Sequence, residues 1–152
     1  MVDTILVAVV LLANGLAAGV LTGTVLGGVP LLQALPTDRY VHAHAFFAGR
    51  YDPFMPLCLA STALGDGVLA LRATDGTARA LLVVAAIAAA AVITVSVTRN
   101  VPINRWVKTL DPDALPADFD DPRPRWAHWN RIRTALAVLA LTANVSAVAV
   151  LL

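Results

Sequence analysis

Apolar residues fill four long stretches of the chain, at about 4–29, 52–71, 77–98 and 124–152, with polar residues gathered between them. Each stretch approaches or exceeds the roughly 20 residues needed to cross about 30 Å of hydrocarbon. Lipid offers no partner to a bare backbone and the runs are too long for barrel strands, so they are expected to be helices. The predicted fold is all-α: an integral membrane four-helix bundle forming one domain. The ends have local causes. Asp52-Pro53 offers a cap followed by a proline whose missing N–H costs nothing at a first helical position. Asp75-Gly76-Thr77 supplies a turn and a cap, making the second and third helices an antiparallel hairpin. Pro36-Thr37-Asp38 is expected to open a short interfacial helix running toward Tyr51, and the Asp- and Pro-rich stretch from Asp111 to Pro124 to be an irregular surface loop.

Composition sharpens this picture. Only 14% of the 152 residues are charged, against about 25% in soluble domains, and mean hydropathy is +0.76. All ten acids are aspartates and the net charge is +1, so the basic stripe of a nucleic-acid reader is missing. Cys58, the one cysteine, is expected to be a small buried hydrophobe. The start of the chain lacks the positive flank and short apolar core of a cleavable signal, so a retained helix is expected there.

With four crossings, the first and third loops share one side. They and the polar start of the fourth helix hold Arg39, Arg50, Arg99, Arg105, Lys108, Arg123, Arg125, Arg131 and Arg133, nine of the eleven basic residues. The positive-inside rule places that side in the cytoplasm of a cell-membrane protein. Gly15, Gly19, Gly23 and Gly27 recur every fourth residue. Such a row favours close helix packing, within the bundle or in a homo-oligomer; alternatively it leaves room for a flat ligand. Asp66, about 21 Å along its helix from Asp52 at 1.5 Å per residue, is expected near the opposite surface, paired with Arg72 or Arg79.

Candidate chemistry lies in the polar side. On a helix Tyr40, His44, Phe47 and Tyr51 share a stripe, while His42 falls elsewhere. Asn100 and Asn104 lie one turn apart around Pro102. Trp126, Trp129, Asn130 and Arg133 recur at helical spacing, and Arg133, the deepest, would find Asp52 at similar depth. Interfacial anchoring explains each tryptophan or histidine singly. A metal or haem site would draw on His42, His44, His128 and Asp52, but histidines two apart do not converge on a helix.

The segments Asn100-Val101-Pro102-Ile103-Asn104-Arg105 and Arg125-Trp126-x-x-Trp129-Asn130-x-x-Arg133-Thr134, with Asp52-Pro53-x-Met55-Pro56 and the glycine-rich first helix, resemble the anthrone-oxygenase-like family of small four-helix membrane proteins. The likeness spans essentially the whole chain. It implies oxidation by O2 of a flat hydrophobic aromatic, an anthrone-type polyketide, without a bound cofactor. Many relatives carry His where this chain has Asn130; if that His is their base, this chain uses another group or its chemistry differs. His44 is the first choice, with His42 and His128 behind it. Asn100, Asn104, Asn130 and Arg133 would hold a carbonyl oxygen, and Tyr40, Phe47, Trp126 and Trp129, with Asp52, would contact the substrate, which would enter from the bilayer. The alternatives are a metal- or haem-binding membrane oxidoreductase and a non-enzymatic scaffold or lipid-binding protein.

Overall fold

The computed structural model describes residues 2–116 and 118–151. Four helices are long and apolar enough to cross a membrane: α1 (Asp3–Ala34), α3 (Phe54–Arg72), α4 (Gly76–Val107) and α5 (Arg123–Leu151). The short α2 (Thr37–Phe47) joins α1 to α3. The chain is a multi-pass membrane protein with a four-helix bundle. In it α1 packs on α3 and α5, and α4 packs on the same two, so α1 and α4 are diagonal. Alanines make the closest packing: Ala17, Ala85, Ala137, Ala140 and Ala147 are fully buried or nearly so. The expected end of the last helix, Leu152, lies outside the described residues, as does Met1.

Two boundaries extend beyond the hydropathy pattern. α1 runs on to Ala34 through a π-turn at Thr24–Gly28, and α4 runs on to Val107 through a π-turn at Ser96–Asn100. Each π-turn ends two residues before a proline, Pro30 or Pro102. A helical proline clashes with the carbonyl four residues back, here that of Leu26 or Thr98. Both carbonyls lie inside the widened turn, which carries the helix past the proline instead of ending it. The loop expected from Thr98 onward is therefore helix as far as Val107.

Helix starts differ too. Asp75 caps α4, its Oδ1 accepting from the Ala78 amide at 2.8 Å, so that helix begins at Gly76. Asp52 does not cap α3; no side-chain cap is formed there, and the first bonds run from the Met55 amide to the Tyr51 carbonyl and from the Leu57 amide to the Pro53 carbonyl.

The unequal lengths shape the molecule. α3 has 19 residues, α1 and α4 have 32 each, a difference of roughly 20 Å at 1.5 Å per residue. Arg72 at the end of α3 meets Asp3 at the start of α1, 3.1 Å apart, so the excess length of α1 all projects past the other end of α3. The space that a longer α3 would fill is left between the outer parts of α1 and α4 and roofed by α2. Arg123 fixes this roof: its Nη1 donates to the Leu35 and Leu32 carbonyls at the end of α1, at 2.7 and 3.3 Å, and its Nη2 lies 2.6 Å from Asp121.

The glycine row does not pack the bundle. A Cβ added at Gly15, Gly19, Gly23 or Gly27 would meet nothing within 4 Å. Close approach of α1 to α3 is made at Gly65 instead, where a Cβ would clash with Val10. Asp66 also departs from expectation. It is fully buried and accepts from Asn144 Nδ2 at 3.1 Å, while Arg72 pairs with Asp3 and Arg79 donates to the Ala73 carbonyl. Six residues after Asp66, Arg72 is turned about 240° around the helix, so it cannot share the interior face. Cys58 is buried and free.

Candidate active site

A cavity of about 700 Å³ occupies the space beyond the start of α3. Its walls come from Val20 to Leu32 of α1, His44 and Phe47 of α2, Tyr51 and Asp52 of the following turn, Met55, Pro56 and Leu59 of α3, Ile93 to Arg105 of α4 with Lys108 just past its end, and Trp126 and Arg133 of α5. Both π-turns border it, through Thr24, Gly27 and Gly28 on one side and Ser96 and Val97 on the other. Gly23 and Gly27 are exposed as well as lining, so the cavity is open where their side chains are missing.

The central polar contact joins three elements. Asn104 Oδ1 lies 2.9 Å from His44 Nε2 and 2.9 Å from Trp126 Nε1. Indole N–H only donates, so the Asn104 atom it meets is the oxygen. That oxygen can only accept, so His44 Nε2 must carry its proton. His44 is then the Nε2–H tautomer, and its proton-free nitrogen is Nδ1, which is buried without a partner. Burial holds the imidazole below its ordinary range, with the Asn104 contact pulling weakly the other way, so His44 is neutral at pH 7. Among the described residues no protein acceptor takes the Asn104 Nδ2 amide, and Asn104 lines the cavity.

Deeper in, Arg133 lines the cavity and is held by neutral groups. Its Nε and Nη2 donate to Asn130 Oδ1 at 2.9 and 2.6 Å, and its Nη1 reaches Ser96 Oγ at 3.4 Å. Asp52 borders the same cavity without pairing with it; among the described residues the ion pairs engage Arg72, Arg123 and Arg125. Among the described residues no carboxylate neutralises the Arg133 charge.

Of the residues singled out in the sequence for candidate chemistry, the structure gathers His44, Phe47, Tyr51, Asp52, Asn104, Trp126 and Arg133 around one cavity. The others stand behind it or outside. Tyr40 is fully buried beneath Arg123, edge-on to His44 at 5.4 Å. Burial, with the Asp121 carboxylate nearby, pushes its hydroxyl up, against the pull of Arg123. Asn130 is buried and engaged with Arg133. Asn100 is buried and donates to the Trp126 carbonyl at 3.2 Å, tying α4 to α5. Trp129 packs under Arg99 at 4.8 Å on the outer face. At 3.6 residues per turn, Trp126 and Arg133 nearly coincide in direction, while Trp129 and Asn130 flank them on opposite sides. His42 and His128 are exposed. Among the described residues no three His, Cys, Asp or Glu side chains are placed to share a metal ion, so the set His42, His44, His128 and Asp52 is not assembled.

Sequence reasoning missed Ser96, Thr24, Arg105 and Lys108, all on the cavity wall. A signal was present: Val29-Pro30-Leu31 and Val101-Pro102-Ile103 repeat a proline at corresponding points of two helices, and interrupted helices at membrane depth are tolerated where they border a cavity.

A family model described as anthrone oxygenase matches residues 42–143. No curated protein and no solved structure matches the chain.

Proposed function

The chain belongs to the anthrone oxygenase family, and from that premise we propose that its cavity binds a flat hydrophobic aromatic of the anthrone type and oxidises it with O2. The observation that carries this reading is the double contact at Asn104, which leaves one basic imidazole nitrogen beside a cavity that also holds an unneutralised guanidinium.

An anthrone has an acidic CH2 between two aromatic rings, opposite a carbonyl. His44 takes one of its protons at Nδ1. That atom is buried without a partner, and the substrate reaches it by displacing the side chains that cover it, the Nε2 contact to Asn104 holding the ring in place. The resulting negative charge moves onto the carbonyl oxygen, where Arg133 and the free Asn104 amide donate to it. In many such reactions preformed donors aimed at developing charge lower the barrier more than any other single effect, and a neutral base suits work near pH 7. The electron-rich anion passes an electron to O2, and the radical pair closes a C–O bond. The peroxide takes the proton from His44, the second C–H proton departs, the O–O bond breaks, and water leaves with the new carbonyl in place. Substrate and O2 account for every atom of quinone and water, and no cofactor enters the balance. The ring system lies between Phe47, Trp126, Met55 and the glycine face of α1, entering from the bilayer past Gly23 and Gly27. We place the basic loops in the cytoplasm of a cell-membrane protein, from the nine cations on that side.

The test is O2 uptake by the purified chain with a model anthrone. Wild type should exceed the protein-free rate and His44→Ala should fall to it. Equal rates in the two proteins would remove His44 from the mechanism, and no uptake above background would remove the reaction.

A further inference from the structure

We propose that the substrate of this cavity is an amphipathic anion: a flat apolar ring system carrying a carboxylate or comparably acidic group, which Arg105 and Lys108 hold at the outer end while Arg133 takes the reacting oxygen at the deep end. The proposal rests on the reading of the cavity as a substrate site and adds the chemical class of what occupies it.

Three cations line the cavity, Arg105, Lys108 and Arg133, against one carboxylate, Asp52. Among the described residues the ion pairs engage other arginines, so the excess positive charge is left to a ligand. The cations are spread along its length. Ser96, which touches Arg133, precedes Arg105 by nine residues and Lys108 by twelve on α4, which is roughly 13 and 18 Å at 1.5 Å per residue. Between them lie apolar walls, from Val97, Val101, Met55 and Leu59 among others, and the His44–Asn104 pair. A ligand meeting both ends is therefore elongated, with an oxygen at its deep end and an anion at its outer end.

Lys108 also bridges two of the elements that wall the cavity. A Cβ at Gly49, just past the end of α2, would lie 2.9 Å from the Lys108 ammonium. The lysine thus reaches from α4 across to the turn after α2, and Gly49 leaves the room it needs. Arg105 and Lys108 are both exposed, so they are free to close on a carboxylate with charge-assisted hydrogen bonds.

The same cations would also suit an anionic lipid headgroup, and the test separates the two sources. The full chain in phosphatidylcholine nanodiscs is titrated with anthraquinone-2-carboxylate and with its neutral hydroxymethyl analogue, following tryptophan fluorescence and correcting each for partition into protein-free discs. Wild type should bind the carboxylate about tenfold more tightly. Arg105→Gln/Lys108→Gln should lose that preference while binding the neutral probe unchanged, and Arg105→Lys/Lys108→Arg should keep it. Equal affinities in wild type, or a preference that survives the double glutamine variant, would overturn the proposal. So would a preference abolished when phosphatidylglycerol replaces phosphatidylcholine, which would assign the cations to lipid. Binding needs no turnover, so a tenfold preference without O2 uptake leaves this proposal standing and removes the oxidation. O2 uptake on a neutral anthrone without the preference does the reverse.

Discussion

Replacing Asn104 tests the central hydrogen-bond arrangement in two opposite ways. Asn104→Leu keeps the approximate shape and removes the oxygen shared by His44 Nε2 and Trp126 Nε1. Both rings are nearly inaccessible, His44 at 2% and Trp126 at 8% exposure, so water reaches the lost acceptor's place only from the cavity side and replaces it poorly. A buried donor left unmade costs about 1–3 kcal/mol, so the pair should cost about 2–6 kcal/mol of stability. Asn104→Asp keeps both bonds and adds a negative charge 2.9 Å from the imidazole. A carboxylate at such range raises a neighbouring histidine by about 1–3 pH units. Wild-type His44 sits below its ordinary 6.5, so the acid limb of kcat/KM should lie below 6.5; in Asn104→Asp it should move up by about 1–3 pH units. The aspartate variant should lose activity at a higher pH than wild type and recover it above the displaced limb, whereas the leucine variant should not recover at any pH. The assays are thermal unfolding in detergent and O2 uptake with a model anthrone across pH. An unchanged acid limb in Asn104→Asp, or a leucine variant as stable as wild type, would refute the assignment of proton and lone pair on His44.

Acid should destabilise the chain through the same residue. The folded pKa of His44 is below the unfolded value, so the unfolded chain binds the extra proton first. Stability is therefore complete above about pH 6.5 and is lost as pH falls below it, by about 1.4 kcal/mol per unit until the folded group also titrates; unfolding temperatures measured against pH in wild type and His44→Gln check this, the variant lacking that slope. Gly65→Ala should destabilise by about 1–3 kcal/mol, because the new methyl must displace Val10 where α1 and α3 touch; a melting curve equal to wild type would show that the helices can part without cost. Gly27→Leu should fold as well as wild type, since its Cβ meets nothing within 4 Å, yet should abolish quenching of tryptophan fluorescence by a bound anthraquinone. Normal quenching would place the ligand's entry elsewhere.

The four helices were legible because lipid demands long apolar runs, and hydropathy measures that demand directly. The outer ends of α1 and α4 were not. Around Pro102 the chain reads Thr98-Arg99-Asn100 and Asn104-Arg105, which hydropathy takes for loop; what keeps it helical is a π-turn and packing against α2 and α5, neither of them written in local polarity. The stripe of α2 correctly separated His44 from His42, since only the direction around one helix was needed. The stripe of α5 was coarser: it grouped Trp126, Trp129, Asn130 and Arg133, and a spread of about 100° sends Trp129 outward and Asn130 behind the arginine. The glycine row shows the limit of periodicity. Its spacing identifies a face and says nothing of what lies opposite, which here is open space. The partner of Arg133 was equally hidden, since depth alone pointed to Asp52 and the bond runs to Asn130 on the next turn.

Proton removal can be measured apart from oxidation. Under argon, the CH2 protons of a model anthrone exchange with D2O only by way of the anion, and mass spectrometry counts the deuterium gained. The wild-type chain should accelerate this exchange above the protein-free rate, and His44→Gln should return it to that rate while still binding an anthraquinone. Exchange at the protein-free rate in wild type, or undiminished in His44→Gln, would contradict the claim that this imidazole takes the proton.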